Sequence, residues 1–169
     1  TGASASSANN WDYTTVQYNL SGTQISVSRN NVVGAGYDQP YAYAKDVEGN
    51  IYITGKGSSD GIDYDMKTIK VKPNNTISWN VTDDSNNKND QGNAIDINES
   101  TNDIIVVGYS TKSNNIKEAL IIRYDSSGSK QWELRRSSDN PNEDAEAKAV
   151  DALPDGSIYV CTQITGANS

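Results

Sequence analysis

The chain has 169 residues and a mass of 18.3 kDa, a size that predicts one domain or part of one. Its 22 acidic residues against 14 basic ones leave a formal charge of −8, which repels phosphate backbones and anionic bilayers and excludes nucleic acid as the expected partner. With no histidine and one cysteine, Cys161, the commonest general base, an internal disulfide and a thiolate zinc site are excluded together.

In chain order, Thr1-Gly2-Ala3-Ser4-Ala5-Ser6-Ser7 lacks an initiator Met and any apolar period, so residues 1–10 are expected to be a flexible lead of a processed product or excised fragment. Residues 13–18 and 23–28 then predict two strands. The following stretches fall into units of four, best seen in the middle of the chain at residues 92–97, 103–108, 119–124 and 131–134. Two further stretches, 147–151 and 157–162, close the chain. Gly49-Asn50, Asn74-Asn75, Ser127-Gly128 and Asp155-Gly156 separate them with residues that tolerate positive φ, as hairpins require. No segment carries a sustained 3.6-residue apolar period, so helix is expected to be near absent. Apolar runs such as Ile104-Ile105-Val106-Val107 fall far short of the roughly 18–20 residues a membrane-spanning helix needs.

Self-comparison is the most informative step. Val16-Gln17-Tyr18, Ile69-Lys70-Val71 and Ile122-Arg123-Tyr124 recur at a spacing of 53 residues, as do Ile51-Tyr52-Ile53 and Ile104-Ile105-Val106, with Ile158-Tyr159-Val160 following after 54. The domain, residues 11–169, thus holds three units, about 12–64, 65–117 and 118–169. A strand-rich repeat of about 40–50 residues is the signature of β-propeller blades. The second stretch of each unit is continuously apolar, as for a strand covered on both faces. The third alternates and is expected to be half exposed, while the first carries small residues (Ala42, Ala44, Ala94, Ala147, Ala149) that suit crowding around an axis. Asp46, Asp96 and Asp151, each two residues after an Ala, read as one repeated turn position.

The segment Asp46-Val47-Glu48-Gly49-Asn50-Ile51-Tyr52-Ile53-Thr54-Gly55 resembles the D-x-x-G-N-x-Y-V-T-G core of the seven-bladed β-propeller repeat family of bacterial and archaeal secreted proteins. Residues 151–160 are similar, and Gly128-Ser129-Lys130-Gln131-Trp132 matches the family's later Gly-x-x-x-Trp element. Asn75 precedes Trp79 where the family has Gly, Ser26 stands at a Trp position, and Thr162 replaces a closing Gly. The resemblance implies an all-β partial propeller of about three four-stranded antiparallel blades. It also implies a non-enzymatic scaffold that is secreted or displayed at the cell surface.

Three blades cannot close a ring that typically needs about four to eight. The chain opens on third and fourth strands and closes on first and second ones, leaving a half-blade at each end. The open edges carry Tyr13, Val16 and Tyr18 on one side and Ile158, Tyr159 and Val160 on the other, and are expected to pair strands with another copy or a neighbouring propeller chain. Three arrangements satisfy this: a closed two-chain ring, a head-to-tail filament or surface layer, or a fragment whose missing blades lie elsewhere.

Other chemistry is weighed against ordinary structure. Asp60, Asp63 and Asp65, and Asp139, Glu143 and Asp144, are oxygen-rich loops of the kind calcium takes, yet neither has the spacing of a known calcium loop. The expectation is therefore no cofactor, with calcium as the sole candidate. A carbohydrate-active enzyme would need two acids facing one cleft, which repeat-related aspartates do not supply. Trp79 and Trp132 are repeat-related and fit blade packing better than sugar stacking, although a glycan or protein ligand on the loops remains the further partner considered. Cys161 is expected to be a small buried hydrophobe. The resulting expectation is a non-catalytic binding or assembly module.

Overall fold

The computed structural model describes residues 2–7, 10–30, 36–85 and 88–166. These form thirteen strands and no helix: β1 (Gly2–Ser7), β2 (Asn10–Tyr18), β3 (Gln24–Asn30), β4 (Tyr37–Lys45), β5 (Ile51–Ser58), β6 (Asp65–Val71), β7 (Ile77–Asp83), β8 (Gln91–Asn98), β9 (Asp103–Thr111), β10 (Lys117–Tyr124), β11 (Lys130–Arg136), β12 (Asp144–Ala152) and β13 (Ile158–Thr165). Two complete antiparallel meanders, β4-β5-β6-β7 and β8-β9-β10-β11, lie between two incomplete units. At one end is the hairpin β2–β3, with β1 on the other edge of β2; at the other is the hairpin β12–β13. A single parallel pair, Trp11 with Tyr37, links β2 to β4.

Local chemistry repeats with the strands. The turns after β2, β6 and β10 are closed by the same two bonds, from the Asn19, Lys72 and Asp125 amides to the Thr23, Thr76 and Ser129 carbonyls, and from the Gly22, Asn75 and Gly128 amides to the Asn19, Lys72 and Asp125 carbonyls. Each puts its fourth residue at positive φ, 81° at Gly22, 64° at Asn75 and 87° at Gly128, a region that Gly and Asn enter at least cost. The first strands β4, β8 and β12 each carry one extra residue, at Tyr41, Asn93 and Lys148, in the same register against the strand that follows. These bulges press each first strand onto its neighbour. A Cβ on Gly55 would stand 2.0 Å from the Gln39 carbonyl oxygen, and one on Gly108 would stand 1.8 Å from that of Gln91.

Burial follows the layers. One core lies between the two meanders, with Tyr52 and Met66 meeting Ile104, Val106, Leu120, Ile122 and Tyr124. A second lies between the second meander and β12–β13, where Ile105, Val107, Ala119 and Ile121 meet Ala145, Ala147 and Ala152. A third joins Tyr13 of β2 to Ile53, Ile69 and Val71 of the first meander. Strand β9 is buried along its whole length because Ile104 and Val106 face one neighbour while Ile105 and Val107 face the other.

Three expectations from the sequence differ from what is found. The third strands β6 and β10 are buried on both faces along their middles, with only Asp65, Lys70, Lys117, Glu118 and Arg123 at or near their ends partly exposed; it is the fourth strands, β7 and β11, that meet solvent. Asp46 is not the counterpart of Asp96 and Asp151. Lys45, Ile97 and Ala152 are the residues opposite Ile51, Ile104 and Ile158, so Asp46 follows that position while Asp96 and Asp151 precede it. Asp46 closes its own turn, accepting from the Asn50 backbone and side-chain amides and from Tyr52 Oη, whereas Asp96 accepts from the Ala152 amide of the next unit at 2.7 Å. Within residues 1–10, expected to be a flexible lead, Gly2–Ser7 form strand β1, and residues 1, 8 and 9 lie outside the described residues.

The bulge contacts give a direct test. Gly108→Ala drives a methyl into the Gln91 carbonyl and is expected to cost about 2–3 kcal/mol in urea unfolding, as overpacking of a closed site does. Serine substitution at the exposed Gly156, where a Cβ meets nothing within 4 Å, carries only the backbone strain of its φ of 90°, about 1 kcal/mol, and is expected to cost less than Gly108→Ala.

Candidate strand-pairing interface

Repeat-equivalent positions serve as internal controls for exposure. Val71 and Tyr124, opposite Ile51 and Ile104, are each 1% exposed, while the corresponding Tyr18 of β2 is 58% exposed. Val16 corresponds to the fully buried Ile69 and Ile122, yet is only half-buried. At the other end, Tyr159 corresponds to Tyr52 and Ile105, both 1% exposed, and is itself 64% exposed. The outward faces of the two terminal hairpins are therefore apolar surfaces of the kind the interior layers bury.

The backbone is open at the same places. Among the described residues β13 pairs only with β12, so its outer edge has no strand beside it. In the meanders the same edge of β5 and β9 is taken by β6 and β10. Strand β2, the counterpart of β6 and β10, pairs with β3 on one edge; on the other, β1 covers residues 10–14, through Ser7–Asn10, Ala5–Trp11, Ser4–Asp12, Ala3–Tyr13 and Gly2–Thr14. Among the described residues, no strand pairs with residues 15–18 on that edge.

The six residues singled out from the sequence thus divide. Tyr18 and Tyr159 are exposed and Val16 half-exposed. Ile158 and Val160 pack inward against the second core, so that only their backbone faces the open edge. Tyr13 is fully buried, points toward the first meander and donates weakly from its hydroxyl to the Lys56 carbonyl at 3.5 Å, and burial pushes its phenol well above the ordinary range. The sequence points Trp132 to blade packing and does not single out Leu134; both lie on β11 and are 36% and 44% exposed, while their counterparts Trp79 and Val81 pack against the first core. The repeat itself carried that signal, because a fourth strand before an incomplete unit has nothing to cover it.

The remaining candidates have structural partners. Asp60 accepts from the Ile62 and Asp63 amides and from Ser58 Oγ, bonds that hold its carboxyl below the usual range. Asp65 lies 3.5 Å from Lys67 Nζ, and burial nonetheless raises its carboxyl. Glu143 accepts from Ser138 Oγ and Asn140 Nδ2, and Asp144 from the Lys117 amide, while Asp139 is exposed and Asp63 half-exposed. Among the described residues, no three carboxylates come together in a group able to hold a metal ion. Asp46, Asp96 and Glu99 line one groove between the ends of β4 and β8, the first two with the structural bonds given above. Trp79 donates from its indole to the Ser126 carbonyl at 3.1 Å and packs against Tyr52 and Tyr124 at 5.8 and 6.4 Å between ring centres, which makes it a joint between sheets. Cys161 is exposed, contrary to expectation, because the layer that would cover its side of β13 is absent from the described residues. The sequence matches no known family model and no curated protein.

Buried Asp90 generates a pH prediction. It is fully buried, one oxygen accepts from the Thr111 amide at 2.9 Å, and burial raises its carboxyl to about 6. With the folded value above the unfolded one of about 3.9, the native state holds the proton more tightly, so this group's contribution is full below pH 4 and lost as pH rises through 6. Urea midpoints measured from pH 4 to 7 are expected to fall from this source, and Asp90→Asn removes that part of the slope.

Proposed function

We propose that this chain is a non-catalytic β-propeller module, working outside the cytoplasm, whose two half-blades are completed by strand pairing with a second copy. What supports the reading is that each terminal hairpin lacks what the other has. The β12–β13 unit corresponds to the first two strands of a meander and β2–β3 to the last two, so together they make up one four-stranded sheet. Transferring the register of β9 with β10 sets Ile158 opposite Tyr18, Val160 opposite Val16, Cys161 opposite Thr15 and Thr162 opposite Thr14. This pairing covers the outer edge of β13, buries Tyr18 and Tyr159, and continues the apolar layering past both ends. Two chains then supply four complete sheets and two shared ones, within the about four to eight that close a ring. The extracytoplasmic part of the reading rests on the resemblance of residues 46–55 and 128–132 to repeats of secreted propellers.

The register is directly testable. At the equivalent position in the first meander, Thr54 and Thr68 face each other with their γ-oxygens 3.1 Å apart, close enough that two cysteine sulfurs there would meet bonding geometry with a small adjustment. Thr15→Cys sets a new thiol opposite the native Cys161 of the second copy, and mild oxidation is expected to give an intermolecular disulfide visible on a non-reducing gel. Light scattering of the unmodified 169-residue chain is expected to give a discrete dimer. Particles of heterogeneous length would favour a polymerising subunit, and a monomer with no cross-link would remove the proposal.

Strand β1 bears on the same edge. Gly2 to Ser4 pair with residues 12–14, where the transferred register sets Thr162, Gln163 and Ile164 of the second copy. Both cannot occupy it. Removing residues 1–9 is expected to raise the dimer fraction at a fixed low concentration several-fold, measured by analytical ultracentrifugation.

A further inference from the structure

The turn between β2 and β3 carries a feature that its own hairpin does not require. The three equivalent turns hold Gly22, Asn75 and Gly128 at positive φ, and Asn75 shows that the backbone alone accepts asparagine there. Gly128 meets a stricter demand: a Cβ on it would stand 2.8 Å from Trp79 Cδ2 of the preceding sheet, whose indole lies flat on the turn and donates to the Ser126 carbonyl. Asn75 belongs to the meander preceded by β2–β3, which has Ser26 at the corresponding position: Ser26, Trp79 and Trp132 stand opposite Gln17, Lys70 and Arg123 respectively. Within this chain, glycine in the turn goes with tryptophan on the neighbouring sheet, and asparagine goes with serine. Gly22 has no neighbour within 4 Å of a Cβ, and among the described glycines none has Trp132 within 4 Å of its Cβ position.

We infer that Trp132 is a socket for the turn of residues 19–23 of a second copy, its indole N–H donating to the Leu20 carbonyl and its ring lying over Gly22 and against Tyr18. This rests on the blade-completion reading above and names the contact that selects the partner. The surroundings agree with it. Trp132 lines a cleft with Asp103, Arg123, Gly156 and Ile158, at the junction between the second meander and the incomplete unit β12–β13. Lys70, beside Trp79, reaches the same Ser126 carbonyl at 3.5 Å; its counterpart Arg123 is tied to Asp103 through Nη2 at 2.8 Å but keeps a buried Nε–H with no acceptor among the described residues. Tyr18 is the counterpart of Tyr124, which packs against Trp79. Leu20, the counterpart of Ser126, is fully exposed in the single chain. A fixed ring stacked on a glycine and a directed hydrogen bond discriminate between partners in a way that backbone pairing along a strand edge does not.

The experiment compares dimer dissociation constants of the full chain by sedimentation for wild type, Gly22→Asn, Trp132→Ser and the double variant. Gly22→Asn preserves the turn, as Asn75 does, but adds a side chain under the indole, and is expected to weaken the dimer at least tenfold with an unchanged urea midpoint of the dilute monomer. Trp132→Ser alone is expected to weaken it by a similar factor, which gives an independent readout should the first variant fold poorly. The double variant reproduces the Asn75 and Ser26 combination and is expected to recover part of the loss seen in Gly22→Asn. A wild type that dimerises with both single variants equally tight overturns the socket and leaves blade completion standing. A wild type that stays monomeric, with no Thr15→Cys cross-link, overturns both.

Discussion

The structure depends on burial of both faces of its second strands. In β9 every residue is buried, because its alternating side chains serve two different cores, and β5 is nearly the same. A strand of this kind is stable only between two neighbours, each large buried side chain contributing about 1.5–3 kcal/mol that exposure would forfeit. The repeat unit is therefore not self-sufficient: a sheet requires a sheet before it and a sheet after it. That constraint explains why the two central meanders are well packed and why the terminal hairpins are not. Tyr18 and Tyr159 are exposed for want of a neighbour, since the same positions one repeat away are sealed.

A second level of organisation fixes how the layers meet. The bulges at Tyr41, Asn93 and Lys148 bend each first strand at the same point, and contacts to backbone then cross from one unit to the next. Asn93 Nδ2 donates to the Ala147 carbonyl at 2.8 Å, Asn98 Nδ2 to that of Leu153 at 2.6 Å, and Asp96 accepts from the Ala152 amide. On the outer side, Trp79 plays the same part through the turn carbonyl of Ser126. Apolar layering alone would let sheets slide. These polar contacts cannot shift without leaving a buried group unpaired, which costs about 1–3 kcal/mol each, so they set the angle and height of one sheet against the next.

Much of this was legible in the sequence, for a physical reason. Strand class and repeat length follow from side-chain alternation and turn chemistry, both local, and Ile104 to Val107 could hardly be anything but a strand with two covered faces. The half-units at the ends followed from counting. The errors have causes as specific. Asp46 and Asp96 match by their letters, but register is decided by pairing across a bulged strand, and that pairing shifts the match by two residues. Strand β1 carried no signal, since Gly, Ala and Ser have little apolar periodicity to show, and its pairing with β2 comes from the backbone. The third strand appeared half exposed because Lys70 and Arg123 are polar, yet they sit near its ends, where a long side chain reaches out past a buried strand. Cys161 and Trp132 were misjudged together, because both would be covered by a layer that the described residues do not contain.

In the proposed dimer, the β1 segment and the socket would pull on one equilibrium in opposite ways. Strand β1 brings backbone hydrogen bonds to the edge of β2 but only small side chains, so its contribution is the roughly 0.5–1.5 kcal/mol net of each bond less the entropy of ordering the segment. An incoming β13 offers the same backbone groups plus Tyr159 and Ile164, and it brings the Trp132 contact at a distance from the contested residues. Association must first overcome about 4 kcal/mol or more of lost translational and rotational freedom, which the intramolecular strand does not face. On that proposal the short covering strand would hold residues 12–14 at low concentration, blunting an edge that could otherwise template indiscriminate pairing. It leaves residues 15–18 open, and these are the residues opposite Cys161, Val160, Tyr159 and Ile158 in the shared register. In the proposed dimer, pairing would thus begin at the uncovered half of β2, beside the 19–23 turn, and proceed by displacing β1 residue by residue, so that a poorly matched strand would guard against wrong partners without blocking the second copy.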